Sequence, residues 1–211
     1  MTLVELIIVI AIFVIMAGIT MSDYGNFRTS VTLQNLADDI GLTIRKVQSN
    51  AIGVQSTTLL NFQKGFGIHF STASSTTNIY AGWKKSIILF YDVNSFPDHK
   101  YTIPSSCAKV YAGDQVECSE VLDILTSDEV YAICPDNTST APDKVCAGTL
   151  DNSYVDITFL RPSPDATLCV GTVGSIFCNI TYSSVDIFLK NSISGQMKKI
   201  TVTNTGQISI E

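Results

Sequence analysis

The sequence predicts an α+β fold, in which one long N-terminal helix packs on an antiparallel β-sheet or sandwich head. Three observations support this prediction. The first 21 residues are almost entirely apolar, the following stretch is amphipathic with a helical period, and short strand-like runs separated by turn residues begin near residue 56. We therefore predict a helix over residues 1–53 and a globular β-rich head over residues 54–211, an arrangement shaped like a lollipop.

The apolar segment, residues 1–21, contains one charged side chain, Glu5. A helix of this length rises about 31 Å, which is close to the thickness of the hydrocarbon core of a bilayer. The segment lacks the basic start, the short apolar run and the small-residue cleavage site of a signal peptide. It is therefore predicted to be a transmembrane segment.

The second half of the predicted helix is amphipathic. Gly18 and Gly25 precede it, and each weakens a helix by up to about 1 kcal/mol relative to Ala, so a bend or partial melting is expected between them. The apolar residues that follow recur at helical spacing among polar ones: Val31, Leu33, Leu36, Ile40, Ile44, Val47 and Ile52.

From residue 56 onward the apolar pattern is typical of short strands separated by Gly, Pro and Asn, as in an antiparallel β domain. The predicted strands are residues 58–62, 66–70, 78–83, 87–92, 116–125, 130–133, 154–160, 166–170, 185–190, 198–203 and 207–210.

Glu5 needs a partner, because an isolated carboxylate inside a bilayer costs roughly 3 kcal/mol or more. The only cation that the segment supplies is the α-amino group of Met1. In a bundle of identical helices, Glu5 of one copy would meet the amino terminus of its neighbour and fix the stagger between them. This pairing requires that the mature chain begins at Met1, after removal of a leader.

The run Thr2-Leu3-Val4-Glu5-Leu6, followed by Ile7-Ile8-Val9-Ile10-Ala11, resembles the mature N-terminus of type IV pilins and type II secretion pseudopilins. The resemblance implies cleavage by a prepilin peptidase before Met1 and N-methylation of the new amino group. It also implies that Glu5 aligns subunits during assembly and that copies of the chain polymerise through residues 1–21. Met1 departs from the Phe that is commonest at this position.

The head resembles that of H-type minor pseudopilins and FimT-like pilins, in the phrases at residues 66–70, 88–92, 157–162 and 205–210. DNA-binding members of that branch carry an arginine-rich motif near the C-terminus. No arginine follows Arg161 here, and the net charge is −6, so no nucleic acid is expected to bind through the head.

Six cysteines lie in the predicted head, and none lies in the predicted helix. An even number in an exported β domain indicates disulfides, of which six cysteines allow 15 connectivities. Their grouping along the chain favours local bridges, and the predicted pairs are Cys107–Cys118, Cys134–Cys146 and Cys169–Cys178.

Catalytic and metal-binding signals are weak. Of the two histidines, His69 is predicted to have a structural role and His99 is predicted to be solvated. The sequence contains no catalytic motif. Asp92, Asn94 and Asp98 faintly resemble a calcium-binding loop but lack its central Gly and its twelfth ligand, which favours a plain turn. We therefore expect no enzyme activity, no cofactor and no metal.

The resemblance implies a structural subunit of a type IV pilus, used in adhesion, motility or uptake. One alternative is a minor pilin or H-type minor pseudopilin of a type II secretion system, and another is a membrane-anchored protein whose head binds a ligand. The implied partners are further copies of the chain, the prepilin peptidase, the pilus assembly machinery and, before assembly, the inner membrane. The implied final location is an extracellular filament.

Overall fold

In the computed structural model, the helix α1 runs from Leu3 to Ile52. Thr2 is its N-cap residue, with extended backbone angles, and the amide of Gly53 closes its last turn by donating to the carbonyl of Ser49 at 2.8 Å. These bounds agree with the predicted helix. The backbone is helical through Gly18 and Gly25, so the expected partial melting between them is not found.

The structure describes the chain in eight parts: residues 2–53, 65–74, 83–92, 98–102, 107, 117–135, 153–172 and 182–211, without the side chains of residues 20–23 and 26. Two predicted strands, residues 58–62 and most of 78–83, lie outside these parts. The other nine predicted strands are each found, with ends shifted by a few residues.

The nine strands form two antiparallel sheets. The order of the first sheet is β3-β2-β1-β5-β6, and that of the second is β4-β7-β8-β9. Their bounds are β1 Gly65–Ser71, β2 Ser86–Asp92, β3 Cys118–Asp123, β4 Asp128–Pro135, β5 Ser153–Phe159, β6 Ala166–Thr172, β7 Ser184–Asn191, β8 Met197–Thr203 and β9 Ile208–Ile210.

The second half of α1 packs against both sheets through one narrow row of side chains. Six residues with alternating spacings of four and three are at most 2% exposed: Leu33, Ala37, Ile40, Ile44, Val47 and Ala51. This spacing keeps successive side chains on one helical face. They share a single core with the inner faces of the two sheets, to which the first sheet contributes Phe70 and Ile157 and the second contributes Ile187 and Ile200.

The outer face of the five-stranded sheet carries a second, partly polar buried layer. Because side chains alternate along a strand, Ile68 and Phe70 of β1 point to the main core while His69 points away from it. A smaller apolar cluster of Ile88, Phe90, Tyr101 and Cys118 lies on this outer face. It is covered by the segment of residues 98–102.

The predicted fold class is wrong as stated. The structure is mostly antiparallel β, in two separate sheets. Within the described parts of the chain, no helix combines the length and the apolar character that a membrane crossing needs. The physical reason is that Glu5 and the polar residues from Thr20 onward confine the uncharged apolar run to residues 6–19. This run rises only about 21 Å, whereas a bilayer core is about 30 Å thick.

Candidate functional site

The first turn of α1 is closed by a reciprocal capping box between Thr2 and Glu5. The Thr2 amide donates to Glu5 Oε2 at 2.7 Å, and the Glu5 amide donates to Thr2 Oγ1 at 3.4 Å. A carboxylate here satisfies an otherwise unpaired amide and interacts favourably with the positive end of the helix dipole. Glu5 therefore has a role within its own chain that the sequence analysis missed, although the Thr-x-x-Glu spacing is its signature.

The expected contact between Glu5 and the amino terminus of a neighbour stays a prediction. Met1, which would carry that amino group and the N-methylation, lies outside the described residues. The carboxylate is exposed at the tip of α1, where a second molecule can reach it.

The apolar segment that follows, residues 6–19, is exposed around its whole circumference. Its large side chains are each between 50% and 72% exposed: Leu6, Ile7, Ile8, Val9, Ile10, Ile12, Phe13, Val14, Ile15, Met16 and Ile19. Together they present on the order of 1,000 Å² of apolar surface, which exceeds the roughly 300–600 Å² of the largest patch on a typical monomer. Such a surface marks a site of association.

The C-terminal end of α1 is held by the head. Arg161, in the turn after β5, donates through Nε to the carbonyl of Ala51 at 3.3 Å and through Nη2 to the carbonyl of Gly53. A cation at this position satisfies the last carbonyls of a helix and complements the negative end of its dipole. Gln48 Nε2 donates to the carbonyl of Pro164 at 2.9 Å. The exposed segment therefore belongs to a helix whose C-terminal end is held in place by the head.

The predicted disulfide between Cys107 and Cys118 is confirmed. Cys118 is fully buried at the start of β3, next to Phe90 and Tyr101, so the bridge fastens Cys107 to the outer face of the five-stranded sheet. Cys134 and Cys169 are also disulfide-bonded. Their predicted partners, Cys146 and Cys178, lie outside the described residues.

Three buried carboxylates hold the covering segment by its backbone. The amide of His99 donates to Asp92 Oδ2 at 3.0 Å, that of Tyr101 to Asp156 Oδ2 at 3.0 Å, and that of Thr102 to Glu117 Oε2 at 2.5 Å. We call these three acceptors, Asp92, Glu117 and Asp156, the carboxylate cluster. The sequence analysis missed it, because its members are far apart in the chain.

Burial changes the acidity of two members of this cluster, Glu117 and Asp92. Loss of hydration, opposed by the hydrogen bond from Thr102 and reinforced by the negative charges of Asp98 and Asp92, raises the pKa of Glu117 to about 7. Loss of hydration likewise raises the pKa of Asp92. These carboxylates therefore bind protons more readily in the folded chain than in the unfolded chain.

His69 belongs to the same layer. Its Nδ1 lies 2.6 Å from Asp156 Oδ1, and its ring stacks on Tyr154 with centroids 5.6 Å apart. His69 Nε2 and Tyr154 Oη are buried, and neither has a hydrogen-bond partner among the described residues. The contact between His69 and Asp156 thus joins β1 to β5 and orients the carboxylate that accepts from the Tyr101 amide.

The weak calcium candidate is not assembled as a metal site among the described residues. Asp92 Oδ2 accepts from His99, and Asp98 Oδ1 accepts from the amide of Lys100 at 3.2 Å. Asn94 lies outside the described parts. Across those parts, no group of three His, Cys, Asp or Glu side chains is placed to hold a metal ion.

No family model, curated protein or solved structure matches this chain. The most unusual feature of the described residues is the exposed apolar segment of α1.

Proposed function

We propose that this protein is a structural subunit that polymerises through the apolar segment of α1 into an extracellular filament of the type IV pilus kind. The observation that carries the proposal is the contrast between the two halves of one helix. Ile40 and Ile44 of the second half are buried against the head, whereas the isoleucines of residues 6–19 are half exposed or more. An exposed apolar run of this length gains most when other protein molecules cover it.

Three further features support the proposal. Glu5 lies at the exposed tip of the helix, where a charged partner from another copy would fix the stagger between subunits. The sequence around it resembles the N-terminus of type IV pilins. The disulfide-linked head is also suited to an exposed extracellular location.

The proposal is tested by placing a charge in the apolar segment. Ile12→Glu should leave the head folded, since Ile12 lies far from the main core, and it should abolish filaments because a buried, unpaired carboxylate opposes association. Ile193→Glu is the matched control, because Ile193 is an exposed isoleucine in the turn between β7 and β8. Normal filament yield from Ile12→Glu would contradict the proposed function.

A further inference from the structure

An open apolar groove runs along the second half of α1, beside the edge strand β3 of the five-stranded sheet. It has a volume of about 610 Å³. Ile40, Ile87 and Ile124 form its buried floor, and Leu42, which is 62% exposed, stands on its rim. Most of the lining residues are apolar or uncharged, and three are charged: Asp39, Lys46 and Asp123. The groove is open and therefore accessible to another molecule.

A second groove, on the other flank of α1, has a different character. It measures about 460 Å³ and is lined by Arg45, Gln48 and the turn between β8 and β9. Gln48 already donates two hydrogen bonds there, to the carbonyls of Pro164 and Gly206. Of these two grooves, an apolar helix fits the one beside β3.

We propose that the groove beside β3 receives the apolar segment, residues 6–19, of a second copy of this chain. This inference rests on the proposed function and deepens it, because it names the surface that covers the segment. The exposed apolar surface of residues 6–19 is about as large as the roughly 800 Å² that each partner buries in a standard protein–protein interface.

The segment of the same molecule cannot occupy the groove. Residues 6–19 and the groove residues Leu36 to Lys46 belong to one continuous helix, so their centres are about 43 Å apart along its axis. The occupant must therefore come from another molecule. If the two helices run parallel, the copies are displaced by about 43 Å along the helix axis.

The dimensions of the two elements agree. The groove follows about ten residues of α1, which is about 15 Å, and the apolar segment is about 21 Å long. Side chains spaced by three and four residues, such as Ile8, Ile12 and Ile15, form a ridge that can enter a groove beside a second helix. The groove therefore accommodates one face of the segment, and the remaining faces are left for further copies.

The test is photo-cross-linking in filaments assembled from the full chain. A benzophenone amino acid is placed at Leu42 or, as a control, at Ile193, and cross-linked peptides are identified by mass spectrometry. We expect position 42 to cross-link to residues 6–19 of another copy in filaments but not in dispersed subunits, and position 193 to give no such product. Cross-links from position 42 to any other segment, or no cross-link in intact filaments, would overturn the groove as the docking site.

A substitution separates this inference from the proposed function. Leu42→Glu should lower filament yield about tenfold or more, because docking would bury an unpaired carboxylate, whereas Ile193→Glu should not. If Leu42→Glu assembles normally while Ile12→Glu does not, the segment polymerises but docks elsewhere. If the unmodified chain forms no filaments, the proposed function and the docking site are both wrong.

Discussion

At the scale of single residues, Glu117, which accepts from the Thr102 amide, makes the free energy of unfolding depend on pH. Its pKa of about 7 in the folded chain exceeds its ordinary value of 4.5. Between these two values the folded chain binds more protons than the unfolded chain, so the free energy of unfolding falls as pH rises from about 4.5 to 7. A pKa shift of this size corresponds to a change of as much as about 3 kcal/mol in the free energy of unfolding.

We predict that Glu117→Gln reduces this pH dependence. Gln keeps a carbonyl acceptor for the Thr102 amide but cannot ionise, so the free energy lost between pH 5 and pH 8 should be smaller than in the unmodified chain. Urea unfolding of the full chain in mild detergent at the two pH values measures this difference. Glu120→Gln, which alters a half-exposed carboxylate in β3, should keep the original pH dependence. An unchanged slope in Glu117→Gln would show that the proton binds elsewhere.

Glu5 combines two roles that substitutions can separate. Glu5→Ala removes both the cap and the charge, whereas Glu5→Gln keeps an acceptor for the Thr2 amide and removes the charge. We predict that both variants leave the melting of the head unchanged and that both impair filament formation, as judged by the mass of sheared fibres. If Glu5→Gln gives the full filament yield while Glu5→Ala gives a reduced yield, helix capping alone accounts for the effect of Glu5 on assembly.

At the scale of elements, the two halves of α1 should respond differently to the same substitution. Ile44 is fully buried between the sheets, so Ile44→Ala should cost about 2–5 kcal/mol of stability. Ile12 is about half exposed, so Ile12→Ala should change the stability of the head by less than about 0.5 kcal/mol. Denaturant unfolding monitored at the head measures both values, and a similar loss in the two variants would refute the division of the helix into a packed and an exposed half.

The contact between Arg161 and the end of α1 gives a second prediction for an element. Arg161→Ala leaves the carbonyls of Ala51 and Gly53 without this donor, so we expect a loss of about 1–2 kcal/mol. Arg45→Ala removes an exposed arginine of the same helix and should cost less than about 0.5 kcal/mol. Equal unfolding midpoints for Arg161→Ala and the unmodified chain would show that the contact contributes nothing.

The sequence allowed the local elements to be predicted well, because their signals lie within a few neighbouring residues. The bounds of α1 and the disulfide between Cys107 and Cys118 follow from such short-range patterns. The division of the strands into two sheets could not be predicted in this way, because β1 pairs with β5 across a long stretch of chain. The carboxylate cluster was missed for the same reason.

The error about the membrane segment arose from counting residues without weighing their position. Residues 1–21 are apolar on average, but Glu5 and Thr20 limit the uninterrupted run to residues 6–19.

At the scale of the whole molecule, the structure joins a stable, disulfide-linked head to a helix whose far half is uncovered. The head and the second half of α1 are stabilised by one shared core, to which residues 6–19 contribute no side chain. This separation suits a subunit that folds alone and buries its remaining apolar surface on assembly. A minor or tip subunit of a filament would use the same design in fewer copies.

The most direct test of the central claim is electron microscopy of fibres sheared from cells that produce this chain, with mass spectrometry of their main component. The proposed function predicts filaments composed mostly of this chain, whose first residue is an N-methylated Met1. Fibres that lack the chain, or a surface without fibres, would contradict a structural subunit. Trace amounts within fibres of another protein would instead indicate the minor subunit.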